Sequence, residues 1–196
     1  GSQWNPVITG DGAGGAIIAW LDDRLGSIER DIYAQRIDSN GSIHSGWPAN
    51  GLVICLARKN QEDPQIASDG SGGAIITWHD YRLSPGQTYD IWAQRVNGDG
   101  QILWPTGSPT TDSAAVCLAT NSQSAAQIAS DGSGGAIIVW LDGRNLTTKG
   151  SELYAQRMNA SGQILWPTGS PTTDGVSICS ATQPIYYVFN HKIISD

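Results

Sequence analysis

Phenylalanine and methionine are nearly missing, one of each in 196 residues, and only 15 % of the chain is charged. The basic residues are scattered, with no run of Lys or Arg. With a net charge of −7, the chain repels phosphate, which argues against nucleic acid or an anionic membrane surface as partner. No apolar stretch approaches the ~20 residues that cross a bilayer as a helix, so no membrane insertion is expected. No signal peptide is visible, and the Gly1-Ser2 start without Met reads as a processed or tag-derived terminus. There is no C-x-x-C pair, no G-x-S-x-G elbow and no H-E-x-x-H. The glycine loops lack the Lys-Ser/Thr ending of a phosphate loop, and the acidic turns "NGDG" and "DSNG" lack EF-hand spacing. His44, His79 and His191 fall at unrelated places in the pattern described below, so no repeated metal or base site is expected. Neither a cofactor nor a metal is called for.

What the chain does have is repetition. "SDGSGGAIIVWLDGR" (130–144) matches "SDGSGGAIITWHDYR" (68–82) and "DGAGGAIIAWLDDR" (11–24). A second block follows each copy: "DIYAQRI" from Asp31, "DIWAQRV" from Asp90 and "ELYAQRM" from Glu152. A third, "GQILWPTGSPTTD", is identical at 100–112 and 162–174, with a degenerate form, "GSIHSGWPANG", in the first copy. Cys55, Cys117 and Cys179 lie 62 residues apart and fill one slot of the repeat. Contexts such as "VICLA" and "AVCLA" read as strand, so buried, reduced thiols are expected. A disulfide between equivalent positions would need Cα atoms within about 7 Å, which a repeat array rarely offers.

Each unit carries four short strand candidates: around "PQIASD", at "GAIIxW", at "DIxAQR", and between "QILW" and "VCLA". "SDGSGG" and the "VNGDGQ" or "MNASGQ" segments supply hairpin turns. In "AIIVWLD", both sets of alternating residues are apolar, so this strand needs cover on both faces. Four-stranded antiparallel units that stack face to face make an all-β β-propeller. The chain reads as a single repeat array over 1–196, with units at about 8–65, 66–127 and 128–189. Residues 190–196, "HKIISD" among them, are a candidate first strand of a further blade.

The pattern "DGSGGAIIxWxDxR…DIYAQRxxxxG…ILW…G…ICxAT" resembles repeat modules of large secreted bacterial proteins. That resemblance covers nearly the whole chain. It implies a β-propeller-like module of an extracellular or cell-surface protein, in a family without an agreed function. The "SDGSGG…W" hairpin also resembles the Asp-box of sialidase-like propellers, with a wider Ser130-to-Trp140 spacing, and no catalytic residue is carried over from it.

Three blades do not close a ring. Either the chain is a piece of a longer array, or two chains form a six-bladed ring as a C2 homodimer. The homodimer is favoured because it covers exposed blade faces and strand edges. The run "PIYYVF" (184–189) is a candidate crossover piece. Three-unit trefoils and prisms use shorter repeats.

The candidate binding residues are the recurrent Asp-x-Arg pairs, Asp22/Arg24, Asp80/Arg82 and Asp142/Arg144, followed by the acids Asp31, Asp90 and Glu152. Such a group can pin a loop, or it can hydrogen-bond sugar hydroxyls. Trp47, Trp104 and Trp166 can pack on a blade edge or stack on a sugar ring. The Gln-Arg pairs of "AQR" suit hydrogen bonding between blades. The leading expectation is an extracellular, non-enzymatic module for recognition or scaffolding, with a glycan as possible ligand. A glycoside hydrolase or sialidase-like enzyme on the same fold, and a purely structural array segment, are the alternatives. No catalytic acid and base can be named from the sequence.

Overall fold

A computed structural model describes residues 1–26, 29–83, 88–104, 113–167 and 174–179. The segments 184–189 and 190–196, read above as a crossover piece and a further strand, lie outside the described residues. Among the described residues, twelve strands form three four-stranded antiparallel sheets, each a simple up-and-down meander. The first sheet holds β1 (Gln3–Gly10), β2 (Ala16–Asp22), β3 (Asp31–Ile37) and β4 (Leu52–Cys55). The second holds β5 (Gln61–Ser68), β6 (Ala74–Asp80), β7 (Asp90–Val96) and β8 (Ala114–Cys117). The third holds β9 (Gln123–Ser130), β10 (Ala136–Asp142), β11 (Glu152–Met158) and β12 (Val176–Cys179). One helical turn among the described residues, α1 (Leu146–Lys149), lies in the connection from β10 to β11.

The glycine-rich hairpin explains its own composition. Asp69 Oδ1 accepts from the backbone N–H of Ser71 and of Gly73, both at 2.8 Å, and so shapes the turn. Gly70 and Gly72 take φ of 74° and 85°, which side chains resist. Gly73 meets a different constraint, because a Cβ there would lie 2.3 Å from the Val96 carbonyl oxygen of β7. The same geometry recurs at Gly15 and Gly135, where a Cβ would lie 2.2 Å and 2.1 Å from the Ile37 and Met158 carbonyls. Three glycines thus serve two needs, a left-handed turn and a close approach to the third strand. The fourth strand is only four residues long, and "QIL" contributes a single bridge, Val96 to Ile102.

The sheets stack in order, with β1 beside β5 and β5 beside β9. Ile17, Ala19 and Leu21 of the first sheet pack with Ala74, Ile76 and Trp78 of the second. Ile75, Ile91 and Ala93 on the second sheet's other face pack with Ala136, Ile138 and Trp140 of the third. All seven residues of β6 are therefore buried. In the outer sheets burial alternates: Ile18 and Trp20 of β2 are half-buried, as are Ile137, Val139 and Leu141 of β10. The tryptophan-bearing faces of the second and third sheets each meet the opposite face of the sheet before them, so the stacking is head to tail.

Gly73→Ala is expected to lower the unfolding free energy by about 2–4 kcal/mol, as forced backbone shifts in a packed sheet do. Gly12→Ala, at a positive φ with no atom within 4 Å of the new Cβ, is expected to cost only the left-handed backbone penalty of about 1 kcal/mol. Urea denaturation of the two variants checks the ranking.

Candidate functional site

The three Asp-x-Arg groups close the second strand of each sheet in the same way. The Asp22, Asp80 and Asp142 side chains are fully buried. Each accepts from the backbone N–H of its own arginine, at 2.9, 2.8 and 2.9 Å. Each also accepts from the indole N–H of Trp20, Trp78 or Trp140, at 2.9, 2.8 and 2.8 Å. The guanidinium completes the shell: Arg144 Nε and Nη2 donate to Asp142 at 2.8 and 2.7 Å, Arg82 Nη2 donates to Asp80 at 2.5 Å, and Arg24 grips Asp22 with both Nε and Nη2. Every guanidinium also lies over an aromatic ring of the third strand, 4.1 Å from Tyr33, 4.0 Å from Trp92 and 4.0 Å from Tyr154. Burial alone would raise the Asp22 and Asp142 carboxyls. The hydrogen bonds from Arg and Trp outweigh it and hold both well below the usual carboxylate range.

The acids at the start of the third strand sit directly across from these aspartates, Asp31 opposite Asp22 and Asp90 opposite Asp80. Burial, with the charges of Glu29 and Asp22 beside it, pushes Asp31 up to about 6. Burial and the Asp80 charge do the same to Asp90, also to about 6. Glu152 in the third sheet instead accepts from Asn145 Nδ2 at 2.7 Å.

Trp47 and Trp104 are buried, and their indole N–H groups donate to the Gly98 and Ala160 carbonyls of the next sheet, at 2.8 and 2.9 Å. Trp166, at the same place in the third sheet, is half-buried. The glutamine of "AQR" holds this segment: Gln156 Nε2 donates to the Trp166 carbonyl at 2.7 Å, and Gln156 Oε1 accepts the Trp166 N–H at 2.9 Å. The arginine of "AQR" pairs with the hairpin aspartate, Arg36 with Asp11 at 2.9 Å, Arg95 with Asp69 at 2.8 Å and Arg157 with Asp131 at 3.0 Å. The sequence shows both residues recurring, but not that strand pairing brings them together across about 25 intervening positions.

The Cys55 and Cys117 thiols are buried, which pushes them up to about 11 and about 12. Among the described residues, no three His, Cys, Asp or Glu side chains are placed to hold a metal ion, and no helix is long and apolar enough to cross a membrane.

One group of residues breaks the repeat. Where the other units carry Leu21 and Leu141, the second carries His79. Where they carry Trp4 and Ser124, it carries Glu62, and Asp23 and Gly143 correspond to Tyr81. These side chains lie together. His79 stacks on Tyr89 with centroids 5.3 Å apart and an interplanar angle of 9°, and Tyr81 meets Tyr89 edge-on at 5.0 Å. Tyr81 Oη donates to Glu62 Oε2 at 3.4 Å, and Arg30 Nη1 donates to Glu62 Oε1 at 2.9 Å. His79 Nε2 accepts the Ala126 N–H at 3.4 Å, which leaves Nδ1 to face Asp63 at 3.5 Å. Burial lowers the His79 pKa, against the pull of Asp63. Arg30 and Asp63 are exposed, as is Trp4, which carries the Arg30 guanidinium 5.4 Å from its ring. The sequence signal for this cluster is the off-pattern position of His79.

Comparison of the chain with family models, curated proteins and solved structures gives no match.

A pH profile follows from the two kinds of aspartate. Asp31 and Asp90 are raised above the unfolded value of about 3.9, so stability falls as pH rises from about 4 through 6. Asp22 and Asp142 are depressed, so their contribution is present above about pH 4 and is lost on further acidification. Stability should therefore peak near about pH 4. Asp31→Asn and Asp90→Asn should each raise the unfolding free energy at pH 7 by about 1–2 kcal/mol and flatten the fall above pH 4. Thermal melts across pH 3–8 check both the peak and the flattening.

Proposed function

We propose that the chain is an extracellular, non-enzymatic β-propeller module for recognition or scaffolding, with its three sheets as blades and a second chain completing a six-bladed ring. Sheets stacked face to face with their first strands side by side are what blades around a common axis require. The observation that carries the functional reading is the division between residues that recur and residues that do not. The recurrent Asp-x-Arg groups bind their own tryptophans and turns, and the "AQR" residues bind the hairpin aspartates and the tryptophan-proline segment. Their lone pairs and donors hold the scaffold.

Recognition then falls to the residues outside the repeat, gathered around Glu62, His79, Tyr81 and Tyr89. There an exposed indole, Trp4, stands beside the guanidinium of Arg30 and the carboxylates of Glu62 and Asp63. An aromatic face flanked by fixed hydrogen-bonding groups suits a sugar, whose apolar face stacks while its hydroxyls are paired.

A glycan array is the test. The chain is expected to retain a defined set of glycans, and Trp4→Ala and Glu62→Ala should each weaken retention at least about tenfold, as for loss of one stacking or charge-assisted contact. No retention by the unaltered chain would leave a purely structural array segment. Release of free sugar from a retained glycan would replace the reading with a glycoside hydrolase.

A further inference from the structure

The polar contacts between successive sheets come in matched halves, and among the described residues the two outer sheets carry halves without a mate. Arg36 Nη1 and Trp47 Nε1 both donate to the Gly98 carbonyl, at 2.9 and 2.8 Å. Arg95 Nη1 and Trp104 Nε1 both donate to the Ala160 carbonyl, at 2.9 Å each. The third sheet holds the same donors, Arg157 and Trp166. The turn position of Gly98 and Ala160 is occupied in the first sheet by Ser39. A second contact runs from the Gln61 N–H to the Arg30 carbonyl at 2.9 Å, and from the Gln123 N–H to the Tyr89 carbonyl at 2.8 Å. Its outer halves are Gln3 and Ser151. A third joins Arg82 to Cys55 Sγ at 3.0 Å and Arg144 to Cys117 Sγ at 3.6 Å. Its outer halves are Arg24 and Cys179.

Burial follows the same division. Gln61 and Gln123 are fully buried, whereas Gln3 is exposed. Cys55 and Cys117 are buried, whereas Cys179 is exposed. Ile54 and Val116 are 0 % exposed, but Ile178 at the same position of β12 is 55 % exposed. The Arg157 side chain is 36 % exposed, against 11 % for Arg36 and 13 % for Arg95. The half-buried apolar face of β10, Ile137 to Leu141, and that of β2, Ile18 and Trp20, have the composition that meets at the two internal seams.

We propose that the third sheet of one chain docks on the first sheet of a second copy through a polar latch, in which Arg157 and Trp166 donate together to the Ser39 carbonyl of that copy. The Gln3 N–H reaches the Ser151 carbonyl across the same seam, and Arg24 meets Cys179. This rests on the two-chain ring proposed above and names the contact that sets its register. The interface is heterologous, and two of them related by a two-fold axis close the assembly.

The mass in solution, maleimide labelling of Cys179 and two variants test it. Two chains of 20.8 kDa weigh about 42 kDa. The expected result is a species of that mass in which Cys179 reacts slowly and becomes reactive on dilution. Trp166→Phe removes one indole N–H from the latch and should weaken the dimer about tenfold, as loss of one buried hydrogen bond does. Trp104→Phe removes the same bond inside the chain and should lower the melting temperature without changing the mass. Val139→Glu charges the open face of β10 and should give a folded monomer by circular dichroism. A species near 21 kDa with reactive Cys179 would overturn both the two-chain ring and the latch. One near 21 kDa with protected Cys179 would mean that the chain covers its own third sheet, and would also overturn both. A larger assembly would overturn closure by two chains. A dimer indifferent to Trp166→Phe would overturn the latch alone.

Discussion

A sheet that is apolar on both faces needs a neighbour on each side, and the rest of this molecule follows from that need. β6 meets it fully, with every residue buried between two flanking sheets. Each covered face contributes roughly 25 cal/mol per Å² of apolar surface removed from water. Repetition is the economical solution, because a unit that fits its own copy can bury both faces without a second kind of partner. Head-to-tail stacking is the form it takes here: at both internal seams the tryptophan-bearing face of one sheet meets the smaller-residue face of the sheet before it.

Close packing of this kind brings polar groups inside, and each recurrent motif handles one of them. The end of the second strand would bury a bare carboxylate at Asp80 or Asp142; an indole, a guanidinium and a backbone N–H surround it instead. The hairpin aspartate would be a second buried charge, and the "AQR" arginine of the third strand answers it. That arginine spans two jobs, since its remaining Nη1 crosses to a carbonyl of the next sheet. Hydrogen bonds inside a unit and between units therefore share side chains. A misplaced neighbour leaves a buried arginine and a buried indole N–H without their acceptor, which costs more than the bonds return when they are made. Such a seam specifies register as well as adhesion.

Much of this was legible in the residues. The three copies of "GAIIxW", their glycine turns and their two-faced apolar alternation point to short antiparallel strands covered on both sides, and β2, β6 and β10 lie at those positions. Strands at "PQIASD" and "DIxAQR" are equally readable. The fourth strand was blurred because it is only four residues long and "QIL" joins the sheet by one bridge. Local pattern carries the strands, but long-range pairing decides the polar contacts. Nothing in the order of residues says that Asp69 and Arg95 meet, or that Trp47 and Trp104 reach the carbonyls of Gly98 and Ala160 in the next sheet. The cluster at Glu62, His79, Tyr81 and Tyr89 was hidden for a related reason. A search for recurrence finds what the copies share, and these residues matter through what one copy does not share.

Cys55 and Cys117 each lie against an arginine of the following sheet, yet desolvation wins and pushes both thiols up to about 11 and about 12. Near neutral pH almost none of either group exists as thiolate, the form that attacks a disulfide or an electrophile. Once folded, such a chain holds these two sulfurs chemically silent. It can carry these two cysteines unaltered through surroundings that would oxidise or cross-link exposed ones.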